Sequence, residues 1–162
     1  MTEFHIRLAE PRDLSGVDAL LARSYPKLLK TDYAPSVLVT ALPIITRAKP
    51  DLMACGSYFV AETFDHQIIG AGGWTRSTNV AGQGDIRHVV SDDRHLRQGI
   101  AKGVLLAALF QAKSAGVSKM RCWSTITAVP FYKSMGFEEI GPIEVMLAKT
   151  VQFPAVDMQQ IL

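Results

Sequence analysis

Cysteine is scarce in this chain. Cys55 and Cys122 are the only two among 162 residues, and they lie far apart. No CxxC pair and no zinc-ligand spacing can be built from them, so no metal site is expected. A disulfide between them is one arrangement the count allows, but a reduced, cytosolic chain is the expectation. Charge of one sign is equally lacking: 17 Lys plus Arg face 15 Asp plus Glu, a formal net charge of +2. A dedicated nucleic-acid binder carries a strong basic excess, so nucleic acid is not an expected partner. No apolar run approaches the roughly 18 residues of a membrane span, so no membrane partner is expected either. The opening MTEFHIRLAEPRD has no apolar h-region, which predicts no signal peptide and a cytoplasmic protein. Repeats, low-complexity tracts and linkers are also missing, so residues 1–162 are expected to form one domain. With 48% hydrophobic and 20% charged residues the chain is not disordered. At this length it is able to bury about 68–70% of its unfolded surface without staples.

What is present is a regular succession of patterns. Phe4, Ile6 and Leu8 alternate with polar residues and predict a short strand. Pro11 suits a first helical turn, and Leu14, Val17, Leu20 and Leu21 then recur at helical spacing toward Ser24. Residues 25–56 are punctuated by prolines; one helix is expected over Ser36–Arg47, disturbed near Pro43, with loops on either side. Strands are predicted at Tyr58–Ala61, Gln67–Trp74 and Asp85–Ser91, the second weakened by Gly70, Gly72 and Gly73. Ile100, Val104, Ala108 and Ala112 recur every fourth residue, predicting a long helix that Gly116 ends. A strand at Met120–Ser124, a short helix at Ala128–Met135 and strands at Phe137–Ile143 and Phe153–Ile161 complete a mixed α/β (α+β) chain with one central sheet.

The segment Leu96-Arg97-Gln98-Gly99-Ile100-Ala101-Lys102 joins a strand to the long helix. Its small residues let a ligand approach the backbone, and the helix start offers unpaired N–H groups and the positive end of the dipole. That is an anion site suited to a pyrophosphate, with Arg97 and Lys102 beside it; a routine helix start is the alternative. There is no GxxxxGK[ST] and no GxGxxG after a first strand, which excludes a P-loop and a dinucleotide fingerprint. Further on stands Thr127-Ala128-Val129-Pro130-Phe131-Tyr132-Lys133-Ser134-Met135-Gly136-Phe137.

In this order the two segments resemble the GNAT superfamily of acyl-CoA-dependent N-acetyltransferases. The first matches the family's [RQ]-x-x-G-x-[GA] motif at Gly99 and Ala101, with Leu96 in place of the Arg or Gln. The second matches at Ala128, Phe131, Tyr132, Gly136 and Phe137, with Thr127 where asparagine is common. The resemblance implies a single central, mixed, mostly antiparallel sheet of six to seven strands flanked by helices. It implies transfer of an acetyl group from acetyl-CoA to a primary amine of a small molecule or a lysine by direct attack. A non-catalytic acyl-CoA sensor with the same fold is the alternative.

Site residues follow from the same resemblance. Arg97, Gln98, Gly99, Ile100, Ala101 and Lys102 would wrap the pyrophosphate. Val89, Val90 and Ser91 would pair their backbone with the pantetheine arm, and an N–H near Val89 or Val90 would polarise the thioester carbonyl. Thr127, Ala128, Phe131 and Tyr132 complete the cofactor site. Tyr132 is the expected general acid. Asp85 and His88 are the two choices for a general base; strict alternation puts Asp85, Arg87 and Val89 on one face and Ile86, His88 and Val90 on the other, so they should not share a site. Tyr25, Tyr33, Trp74 and Arg76 are the expected acceptor residues, Arg76 as a carboxylate partner. No acidic groove is visible, so a polycationic acceptor is not favoured. Family members often dimerise through the last part of the sheet, which makes a homodimer a hypothesis.

Overall fold

A computed structural model describes residues 2–162. Strand β1 (Phe4–Leu8) and a single 3-10 turn lead into helix α1 (Leu14–Leu29), followed by α2 (Pro35–Ile45) and the short α3 (Pro50–Ala54). Strands β2 (Tyr58–Thr63), β3 (Ile68–Arg76) and β4 (Gln83–Ser91) form a meander, and a second 3-10 turn precedes α4 (Ile100–Ser114). Strand β5 (Lys119–Thr125), helix α5 (Val129–Ser134) and the hairpin β6 (Glu138–Ala148) and β7 (Val151–Ile161) close the chain. All seven strands lie in one sheet, ordered β1-β2-β3-β4-β5-β7-β6. Every neighbouring pair is antiparallel except β4 and β5, which run parallel as the crossover through α4 requires.

The helices cover both faces. On one, Val17, Leu20 and Leu21 of α1 pack on Tyr58, Val60, Ala71 and Val90. On the other, Leu105, Ala108 and Ala112 of α4 pack on Trp74, Met120, Cys122 and Met158. Burying each large side chain in such a layer contributes about 1.5–3 kcal/mol. Helix α2 lies over the far end of the sheet, where Leu38 and Ala41 meet Phe153 and Tyr33.

Several boundaries differ from the sequence patterns. Helix α1 does not stop near Ser24 but runs on through Pro26 to Leu29. A proline here forfeits one backbone hydrogen bond, and Leu29, at 1% exposure, anchors the last turn. Residues 50–54 form a helix where a loop was expected, with Pro50 in the first turn where its missing N–H costs nothing. Strand β6 extends past Ile143 to Ala148, and β7 begins at Val151.

The consequential difference is in β4. Ala71 pairs with Val90 and Gly73 with Arg87, so Gly72 alone faces both His88 and Val89. This is a β-bulge, and His88 takes the positive φ of 44° that it requires. A Cβ on Gly72 would stand 2.8 Å from the Val89 side chain, so the bulge needs glycine opposite it. The expected alternation therefore fails: Ile86 and Val89 both pack on the α4 side, whereas Val90 packs on the α1 side.

Candidate active site

Strands β4 and β5 pair only over Gln83–Asp85 and Lys119–Arg121. Beyond that point β4 stays with β3 and β5 stays with β7, so the two part and leave a wedge in the middle of the sheet. The bulge sits on one lip of this wedge. A cavity of about 590 Å³ runs from the wedge to the start of α4. A second, of about 350 Å³, opens toward β6, β7 and the segment between α2 and α3. Tyr25, Val89, Thr125, Ala128 and Tyr132 line both, and so surround the place where the cavities meet.

The first cavity is lined by Val89, Val90 and Ser91 along β4, then by Arg97, Gly99, Ile100, Ala101 and Lys102. Gly99 caps α4 in the left-handed region at φ 78°, and no side chain caps the helix. Helical hydrogen bonding starts with the Gly103 N–H donating to the Gly99 carbonyl at 2.9 Å. The N–H groups of Ile100, Ala101 and Lys102 are thus orphans of the first turn, and an anion in the cavity would satisfy them. A Cβ at Gly99 would meet nothing within 4 Å, so the space in front of the turn is open. Thr127, Ala128, Phe131 and Tyr132 form the opposite wall. The Thr127 hydroxyl donates to Asp32 at 2.7 Å. Gln98 is the exception among the expected cofactor residues. Its side-chain oxygen accepts from the Thr2 N–H at 2.8 Å, and it lies outside the cavity lining.

Tyr132 is buried at 4% exposure and held edge-on between Phe131 and Phe137. It packs in the same core cluster as Cys122. Burial first, and then Cys122, Tyr25 and Tyr58, push its phenol well above the ordinary value. Burial likewise pushes the Cys122 thiol up to about 12, so this cysteine is an inert neighbour rather than a nucleophile. Burial raises the Tyr25 phenol too.

His88 lines the second cavity, its carbonyl accepting from the Tyr58 hydroxyl at 3.1 Å. Burial, then Lys49, then Arg87 bring the imidazole down to about 4, so it is neutral at physiological pH. Asp85 is placed elsewhere. It sits where β4 and β5 are still paired, accepts from the Gln83 amide at 3.2 Å, and lines neither cavity.

Of the expected acceptor residues the structure brings only Tyr25 to the site. Tyr33 is spent on structure: its hydroxyl donates to the Pro154 carbonyl at 2.7 Å and accepts from the Ile126 N–H at 2.8 Å. Its ring stacks at 4.6 Å on Phe153, a wall of the second cavity, but Tyr33 itself lines neither cavity. Trp74 is buried under α4 and donates to Gln111 at 2.9 Å. Arg76 bonds the Ala115 carbonyl and covers the Trp74 ring at 5.8 Å, and it lines neither cavity. The second cavity is lined instead by residues such as Ile44, Ile45, Lys49, Arg87, Val145 and Leu147. Those residues carry no motif; only the continuation of β6 beyond Ile143 would have pointed to them. Among the described residues no cluster of His, Cys, Asp and Glu could hold a metal ion, and no helix is long and apolar enough to cross a membrane.

The acetyltransferase (GNAT) domain family matches residues 36–157. No curated protein sequence matches the chain significantly. Solved structures do. The chain is similar to a GCN5-related N-acetyltransferase from Rhodopseudomonas palustris, at 16% identity and TM-score 0.79 over 100% of this chain and 98% of that one. It is also similar to the PaiA N-acetyltransferase of Thermoplasma acidophilum, solved with coenzyme A, at 15% identity and TM-score 0.71 over 99% of each chain. A GNAT-family acetyltransferase from Streptococcus pneumoniae aligns at 20% identity and TM-score 0.69 over 99% of each. At these identities the likeness is one of fold.

Proposed function

The chain belongs to the GNAT acetyltransferase family, and on that premise we propose that it transfers an acetyl group from acetyl-CoA directly to a primary amine, of a small molecule or a lysine, with residues 1–162 acting as one domain. The observation that carries this proposal is the wedge, with Tyr132 at the meeting point of two cavities, one of which ends on uncapped helix amides.

Acetyl-CoA supplies an activated thioester. The first-turn amides of Ile100, Ala101 and Lys102 hold the pyrophosphate, with Arg97 and Lys102 adding charge. The open space at Gly99 and the absence of a capping side chain support that fit. Backbone groups of Val89 and Val90, left without a β5 partner, take the pantetheine amides as an added strand and polarise the thioester carbonyl.

Tyr132 faces the departing sulfur. With its phenol raised by burial, full proton transfer to a thiolate of ordinary pKa near ~8.5 is uphill. Its contribution is therefore an O–H···S hydrogen bond that strengthens as charge develops.

The amine must lose a proton. An alkyl ammonium near ~10.4 and an imidazole near 4 differ by an amount equal to roughly 9 kcal/mol, too much for His88 to deprotonate a free ammonium directly. The second cavity does that work itself. It is largely apolar, so burial favours the neutral amine. His88, neutral and on the wedge lip, accepts the proton that the nitrogen sheds once it is bonded to the acetyl carbon. Thiol release from acetyl-CoA across a panel of amines tests the proposal, with product mass confirming N-acetylation. Release with at least one amine is expected; none across the panel would refute it.

A further inference from the structure

The second cavity has a one-sided chemistry. Its walls are aliphatic and aromatic: Ile44 and Ile45 from α2, Val145 and Leu147 from β6, Phe153 from β7. Its charged members are Lys49 and Arg87, and no aspartate or glutamate lines it. Lys49 comes from the segment entering α3 and Arg87 from the lip of β4, so the cations approach from different elements. Some basic side chains elsewhere are held by carboxylates: Arg7 by Asp13 and Glu62, Arg94 by Asp92, Arg121 by Asp157. Among the described residues neither Lys49 nor Arg87 makes a salt bridge. Arg87 uses Nε to donate to the Thr75 hydroxyl at 2.9 Å, and this fixes the stem while the terminal amino groups stay available. A guanidinium presented that way suits a carboxylate.

From this arrangement we infer that the acceptor is an apolar amine bearing its own carboxylate, such as an α-amino acid with an aliphatic or aromatic side chain, whose carboxylate is held between Lys49 and Arg87. The inference rests on the acetyl-transfer proposal and narrows it. A polyamine or a lysine in a basic protein segment would carry extra positive charge past both cations with nothing to pair it. A zwitterion supplies the missing negative charge and leaves its side chain for Ile44, Ile45 and Val145. The two cations also act on His88, from different elements, which locates their joint field at the wedge lip. A bound carboxylate cancels that field and makes the imidazole a better proton acceptor only when the right acceptor is present.

The test uses the full chain with acetyl-CoA and matched acceptors that differ by the carboxylate alone: leucine against 3-methylbutylamine, phenylalanine against 2-phenylethylamine. The wild-type ratio of kcat/KM, acid over plain amine, is expected to be about 10- to 100-fold, the range for a charge-assisted hydrogen-bonded contact. Lys49→Met and Arg87→Met should each move that ratio toward one, acting mainly through KM of the acid. Both positions are exposed, so the fold should hold, and melting in acetyl-CoA checks it. Plain amines serving as well as their acids in the wild type would overturn the inference and leave acetyl transfer standing. So would a ratio that neither substitution changes. If acetyl-CoA stabilises the chain but no amine releases thiol, acetyl transfer itself fails, and the inference falls with it.

Discussion

Gly99 offers a perturbation in which the fold and the ligand should respond with opposite sign. Both asparagine and aspartate tolerate the left-handed region better than other side chains, so Gly99→Asn and Gly99→Asp share the backbone cost of φ 78°. Nothing lies within 4 Å of the new Cβ, so neither adds a clash. The common loss is about 1–2 kcal/mol. Aspartate at the N-cap of α4 then regains part of it, because its charge complements the helix dipole by about 0.3–1 kcal/mol. For an anion seated on the same amides the sign reverses. A carboxylate about 5 Å from a diphosphate group, at an effective dielectric near 20, repels it by on the order of 3 kcal/mol per charge before screening. Screening at an open site leaves roughly 2–3 kcal/mol, or about 30- to 150-fold in affinity. In wild type, acetyl-CoA at 100 times its dissociation constant stabilises by about 2.7 kcal/mol, a rise in Tm of roughly 5–11 °C. Thermal melting with and without ligand therefore separates the effects. The aspartate variant should melt at or above the asparagine variant alone, and lose most of its acetyl-CoA shift. An aspartate variant with the full shift would refute the assignment of the anion to this turn.

Other expectations follow from the site and its support. Tyr132→Phe should lower kcat about 10- to 100-fold with little change in KM for acetyl-CoA, since it removes one hydrogen bond that strengthens as the sulfur departs; an unchanged kcat would remove Tyr132 from the mechanism. His88 should show no inflection near 6.5 in a pH profile of kcat/KM, because its own protonation waits until about pH 4. By linkage this depressed imidazole contributes stability that is present above about 6.5 and is lost as pH falls toward 4. An inflection near 6.5 that His88→Gln abolishes would contradict the burial argument. Arg7 bridges the buried carboxylates of Asp13 and Glu62 at 2.8 and 2.9 Å. Its bonds hold both carboxyls below their ordinary values, so their stabilisation is present above about pH 4 and lost on further acidification. Arg7→Met should cost about 2–4 kcal/mol in denaturant melts at neutral pH, discounted from a fully buried pair because Arg7 is 20% exposed, and should flatten the acid limb.

The cavity that ends on the start of α4 was legible in the chain because it depends on backbone. Gly99, Ala101 and the small residues around them announce a helix start that a ligand can approach, whatever the side chains nearby. Gln98 lies outside that lining because its side chain accepts from the Thr2 N–H, 96 residues away. The lining of the second cavity was poorly legible for a related reason. Ile44 of α2, Lys49 before α3, and Val145 and Leu147 of β6 are far apart in the chain and meet only in the fold. Tyr33 and Trp74 looked like pocket aromatics, yet each hydrogen-bonds a partner distant in sequence and serves the core. The alternation rule failed at His88 because a bulge resets the register, and only Gly72 in the facing strand hints at that. Apart from the added α3, the order of strands and helices matches the patterns, since periodicity senses which face is buried and not where a strand ends.

The central claim is that the wedge joins a thioester to an amine. The direct measurement is thiol release from acetyl-CoA with leucine or phenylalanine as acceptor, with mass analysis of the acceptor. The account predicts one N-acetylated product molecule per thiol released, with the rate lowered in Tyr132→Phe. Acetyl-CoA that raises Tm while no amine is acetylated would contradict it and leave a chain that binds acyl-CoA without turnover.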